Sequence, residues 1–200
     1  MKRNPQMITG KGLMAGLLAA VLVPSLAYAH VGVGQVNSFS QGFVHPLMGL
    51  DHIAAMLAVG FWATQLGGRA LWLVPLSFVS VMGGSGLLGA SGFAMPFVEL
   101  GIVGSVFLLG VFIAAAIRLP LLVSSLLVGL FALFHGYAHG AEMSVSASGL
   151  EYGLGFMLAT GLLHGCGLGL GLLTRRWGGL SFARYAGGTT AAIGVYLFIG

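Results

Sequence analysis

The chain has 200 residues, 58% of them hydrophobic and 6% charged, with eight Lys or Arg against four Asp or Glu. So little charge cannot cover a water-soluble domain, and a mean hydropathy of +1.01 points to an integral membrane protein. In a soluble chain the pI near 9.6 would suggest a nucleic-acid partner, but here the cations flank apolar runs, which is a topology signal.

Residues 1–29 read as a secretory signal peptide. Lys2, Arg3 and Lys11 form the positive region, 13–26 the apolar region, and Ala27-Tyr28-Ala29 a small-residue cleavage site. Cleavage leaves His30 as the first residue of a single membrane domain, 30–200, with five arginines against four acids. A terminus at His30 offers both an α-amine and an imidazole, a chelating pair for a divalent ion. The single cysteine, Cys166, excludes an intrachain disulfide and a thiolate cluster.

After a polar stretch at 31–41 come six apolar segments, each near the twenty or so residues that a membrane span needs. They cover 46–66, 71–88, 95–117, 119–140, 150–173 and 182–200. The expected fold is an all-α, polytopic membrane helix bundle of six transmembrane helices following a cleaved signal peptide. With the mature N-terminus outside, Arg69, Arg118, Arg175, Arg176 and Arg184 all fall in inside loops, as the positive-inside rule demands. That places the chain in a bacterial inner membrane with a periplasmic N-terminus. Gly149, Gly153, Gly161, Gly165 and Gly169 recur at a spacing of four or its multiple, which suits close helix approach. No P-loop sequence is present, so the chain does not hydrolyse ATP through one.

The first span opens with His45-Pro46-Leu47-Met48-Gly49-Leu50-Asp51-His52. Ionisable groups at such depth face a bundle interior or water cavity and mark an ion path or cofactor site. Pro46 suits the first helical position. Seven residues apart on one helix, His45 and His52 would share a face, about 20° apart, with Gly49 leaving room between them. Asp51 would point about 100° from His52 and orient a histidine on another helix.

The fourth span ends with Phe134-His135-Gly136-Tyr137-Ala138-His139-Gly140-Ala141-Glu142. His135, His139 and Glu142, at i, i+4 and i+7, make one helical stripe, and two histidines four apart can hold a divalent ion. By the alternating topology both stripes lie at the outer end and can converge. Glu99 and Glu151 open the third and fifth helices at that same end, where acids attract incoming cations. His164, deeper in the fifth helix, could be a second station on an inward path. Imidazole with carboxylate suits zinc, nickel, copper(II), cobalt or iron(II).

The stretches HPLMGLDH at 45–52 and FHGYAHGAE at 134–142 resemble the two signature motifs of the HupE/UreJ family, found with hydrogenase and urease gene clusters. The resemblance covers essentially the whole chain. It implies a secondary nickel (or cobalt) permease rather than an enzyme. No permanently bound cofactor is expected; the metal ion is the cargo, and the bilayer is the other partner. A homo-oligomer is among the assemblies it allows. Carried over, the family's metal positions fall on His45, Asp51, His52, His135 and Glu142, with His139 fitting the second motif and His30, Glu99 and His164 as further candidates. Two other classes stay open on the residues alone. One is an intramembrane zinc hydrolase, although no Ser or Glu base stands beside the motifs. The other is a haem-binding electron carrier with paired axial histidines.

Overall fold

In lipid, every backbone polar group must find its partner within the chain, so a sequence of long apolar runs folds as helices. A computed structural model describes residues 38–142 and 147–200, and among these there are helices and turns but no strand. Chain contacts divide the protein into units 1–34 and 35–200, and the described residues all belong to the second. The expected signal peptide, its expected cleavage site and His30 lie outside the described residues.

The described residues form seven α-helices in order: α1 (Ser38–Val44), α2 (Leu50–Leu66), α3 (Ala70–Ala90), α4 (Val98–Ala114), α5 (Leu121–Ala141), α6 (Ala147–Leu173) and α7 (Gly179–Ile199). A 3-10 turn at His45–Leu47 joins α1 to α2, and a π turn at Thr174–Gly178 joins α6 to α7. The six expected apolar segments correspond to α2 through α7. Ala70–Ala90, Leu121–Ala141 and the stretch Gly149–Arg176 are each long and apolar enough to cross a membrane. A fourth crossing results if Phe39–Leu47 and Leu50–Leu66, bent by 82°, are one broken span. Helix α4 is apolar but has only 17 residues. Helix α7 has 21 residues, with Arg184, Thr189, Thr190 and four glycines diluting its apolar character.

The start of the first span differs from expectation. Pro46 does occupy the opening of a helical turn, but that turn is 3-10 and ends at Leu47. Gly49 is extended (φ −95°, ψ 124°) and α2 begins only at Leu50. His45 and His52 therefore do not share one continuous helical face.

Helix α2 is the centre of the bundle, touching α3, α4, α5, α6 and α7. Eleven of its 17 residues are buried, including Met56, Val59 and Trp62 with no exposure, so it has no solvent or lipid stripe. Lipid tails are as apolar as leucine, so cohesion here rests on close packing and interhelical hydrogen bonds. Glycines supply the first. A Cβ on Gly60 would lie 2.1 Å from the His164 carbonyl oxygen, joining α2 to α6. One on Gly140 would lie 1.9 Å from that of Gly86, joining α5 to α3. The expected glycine stripe on α6 is in the wrong register. Gly161, Gly165 and Gly169 would meet nothing within 4 Å, whereas Gly155, Gly167 and Gly171 abut Phe39, Leu57 and Thr64. Cys166 is exposed on that outward side.

Side chains lock one end of the bundle. Trp62 Nε1 donates to the Ile117 carbonyl (2.9 Å), Gln65 Nε2 to that of Ile113 (3.0 Å), and Arg175 to that of Thr64 (3.2 Å). Arg69, Arg118, Arg175 and Arg176 all sit in or beside the connections at this end, with Arg184 in the opening turns of α7. The four acids, Asp51, Glu99, Glu142 and Glu151, belong to the opposite end.

Candidate metal centre

The bend ahead of α2 and the C-terminus of α5 meet at the acidic end, and six of the singled-out residues come together there. His52, in the first turn of α2, is the hub. Its Nε2 lies 3.3 Å from His135 Nδ1 and also contacts His139 Nε2. His52, His135 and His139 are all buried.

Which ring nitrogens carry protons follows from their other partners. Asp51 Oδ1 is 2.9 Å from His52 Nδ1 and also accepts the His52 backbone N–H. A carboxylate accepts, so His52 Nδ1 carries the hydrogen and Nε2 keeps its lone pair. Ser105, on α4, donates its hydroxyl to the Ile102 carbonyl (2.6 Å), so its oxygen accepts from His135 Nε2 at 3.0 Å. His135 Nδ1 is thereby left with a lone pair aimed at His52. Two lone pairs at 3.3 Å repel unless a cation lies between them. Two imidazoles on one metal at about 2.0–2.1 Å have nitrogens about 3.3 Å apart at the tetrahedral angle and about 2.9 Å at a right angle. The observed spacing fits a chelate.

A second group overlaps the first nearer the surface. One ligand atom each from His45, His139 and Glu142 lie within 4.8 Å of one another. His45 Nε2 is 3.7 Å from Glu142 Oε2, and both side chains are accessible, at 40% and 64%. His139 belongs to both groups, its ring centroid 4.6 Å from His45 and 4.3 Å from His52. The arrangement is a ladder from an open mouth (His45, Glu142), over a shared rung (His139), to a closed pair (His52, His135). Phe156 of α6 covers the shared rung, with ring centroids 4.3 Å apart. A cavity of about 420 Å³ between α3, α5 and α6 also reaches His139.

Two details differ from the sequence reading. Asp51 holds its own neighbour, not a histidine on another helix, because the side chain at the start of α2 folds back over the His52 ring. Gly49 leaves room for that clasp rather than for an ion: a Cβ there would lie 2.6 Å from Asp51 Oδ1 and 3.1 Å from His52 Nδ1. Ser105 was not anticipated. A lone serine in an apolar helix commonly bonds its own backbone, as Ser77 does with Leu73, so sequence alone carries no mark of the difference.

The remaining candidates stand apart. Glu99 is exposed in the first turn of α4, and Glu151 is exposed on α6. His164 is buried, its ring 5.1 Å from that of Phe78, and neither of its ring nitrogens has a hydrogen-bond partner among the described residues.

Comparison with known proteins agrees with the motifs. The chain is 46% identical over 183 residues to Protein HupE of Rhizobium leguminosarum bv. viciae, a match covering 92% of this chain and 95% of that protein. No solved structure matches it. The family model described as HupE / UreJ protein matches residues 18–197. Members of that family are transport or accessory proteins and not enzymes, which removes the hydrolase alternative. With nine-tenths of its length matched by the family model and 46% identity to a member over 183 residues, this membrane protein belongs to the HupE/UreJ family.

Proposed function

We propose that the chain is a secondary permease that moves Ni²⁺, or Co²⁺, from periplasm to cytoplasm, supplying the assembly of hydrogenase or urease metal centres. The observation that carries the reading is the facing pair of lone pairs on His52 and His135, each fixed by a partner on the far side of its ring. A proton-free, pre-oriented imidazole pair is what a borderline divalent ion needs from nitrogen ligands. Family membership supports the same reading.

The ladder supplies a route. Glu142 and His45 meet the hydrated ion at the mouth, where a carboxylate offsets its charge. His139 takes part in both groups, so the ion can exchange ligands without returning to water. At the His52–His135 pair it is held by neutral nitrogens in a setting walled by Phe78 and Phe156. A membrane potential negative inside favours inward movement of a divalent ion by about 4.6 kcal/mol per 100 mV, so no ATP is required. The arginine-rich end is cytoplasmic in this reading, the six helices α2 to α7 span the inner membrane, and residues 1–29 are a signal peptide.

Radiolabelled nickel uptake by cells that produce the chain tests it, with cobalt, zinc and copper as competitors. Saturable uptake that cobalt suppresses more than copper is expected. Membranes that carry the inserted chain and take up no more nickel than controls would end the proposal. Reporter fusions after Arg69, Arg118 and Arg176 should report cytoplasm, and one at Gly200 periplasm.

A further inference from the structure

Past the His52–His135 pair, the described residues of the bundle offer no carboxylate, because all four acids sit at the outer end. The next ionisable group inward is His164. It projects from α6 where the Gly60 contact brings α6 against α2, which fixes its backbone. It is 1% exposed, and among the described residues neither Nδ1 nor Nε2 has a partner. A neutral imidazole has one N–H to donate and one lone pair to fill, and a buried bundle position that meets neither is costly. An apolar side chain would fill the space without that cost.

One phenyl ring neighbours both His164 and the outer cluster. Phe78 of α3 lies 5.7 Å, centroid to centroid, from His135 and 5.1 Å from His164. A further unmet acceptor lies deeper on α2: Gln65 Oε1 is buried and, among the described residues, unpartnered, and its orientation is fixed because Nε2 donates to Ile113. It stands thirteen residues beyond His52 on α2, about 20 Å along the helix axis.

We propose that His164 is a second, deeper ligand station, to which a partly dehydrated divalent transition cation passes from the His52–His135 pair around the Phe78 ring. The inference rests on the permease reading. With one imidazole and no carboxylate, the station holds its ion more weakly than the outer cluster. It is therefore a point of transit that allows release toward the arginine-rich end.

The test compares wild type, His164→Leu and His164→Gln in proteoliposomes, measuring both equilibrium Ni²⁺ binding and the initial rate of Ni²⁺ influx. Expected for His164→Leu is outer-cluster affinity within about twofold of wild type and influx lowered at least tenfold, with His164→Gln between the two. Influx at the wild-type rate in either variant with binding intact overturns the relay. Loss of binding together with influx in a well-inserted variant also overturns it, since His164 would then belong to the outer site. Where neither variant inserts, anomalous scattering from wild-type crystals in excess nickel decides: a weaker second peak beside His164 supports the station, and a peak at the outer cluster alone refutes it. Wild-type protein that neither binds nor passes nickel refutes the permease reading itself, a separate outcome.

Discussion

Replacing His52 with alanine removes the nitrogen that faces both His135 and His139. With one of three converging imidazoles gone, nickel affinity should fall about 100-fold, the upper end of what losing even an outer-shell partner costs. That corresponds to about 2.7 kcal/mol. His135→Ala should do the same. If the two form one chelate, the second removal finds little left to break, and the double variant should also be about 100-fold weaker. The coupling energy is then close to 2.7 kcal/mol, near the top of the range for residues in contact. Independent sites would instead multiply, giving about 10⁴-fold. The ladder adds an internal control. His45 and His135 have no direct contact and are separated by His139, so their losses should add within about 0.5 kcal/mol. Equilibrium nickel binding to purified protein, with insertion checked for every variant, supplies the four affinities of each cycle. Additive losses for His52 and His135 in well-folded variants would refute the shared site.

Three further outcomes follow from the packing and from the site. Gly60→Ala puts a methyl 2.1 Å from one backbone atom of α6 and 2.8 Å from another, and should cost about 1–3 kcal/mol in thermal unfolding, whereas Gly165→Ala meets open space and should be neutral or gain up to about 1 kcal/mol; the reverse order would place the helix contact on the wrong glycines. Ser105→Ala leaves the His135 Nε2–H without its acceptor and should weaken nickel binding about 10- to 100-fold, read by the same titration. The accessible imidazole at the mouth, His45, ligates only when unprotonated and the ordinary pKa is about 6.5, so uptake at limiting nickel should fall as pH drops through and below that value; an unchanged profile down to about pH 4.5 at constant membrane potential would exclude His45 from the slow step.

The helices themselves were legible because apolar runs separated by Arg, Gly and Pro admit few other folds in lipid. The meeting of the two histidine stripes at one end also followed from alternation alone, since an odd or even number of crossings decides which ends coincide. What the sequence could not convey was set by single backbone angles and by packing. One extended residue, Gly49, turns a presumed continuous helix through 82°, and hydropathy is blind to it. The glycine register on α6 was misjudged because two interleaved glycine series, 161/165/169 and 155/167/171, both have helical spacing, and only the neighbouring backbones choose between them. Ser105 reaches His135 across thirty residues, a pairing that no local pattern encodes. His30 and the signal peptide remain expectations from sequence.

Gly49 has a consequence for how this chain can vary. Its backbone angles are open to any amino acid, so nothing about the chain path demands glycine there. The tight contact is with the carboxylate that clasps the His52 ring: a methyl would lie 2.6 Å from Asp51 Oδ1, so the clasp must shift to admit one. Most sites at which a protein tolerates no change are sites where it would otherwise misfold, and cellular quality control removes the variants. Position 49 is of another kind: a substitution there is compatible with the chain path and acts on the Asp51–His52 clasp instead. On the permease reading, such a variant would betray itself through the supply of metal rather than through the amount of protein in the membrane.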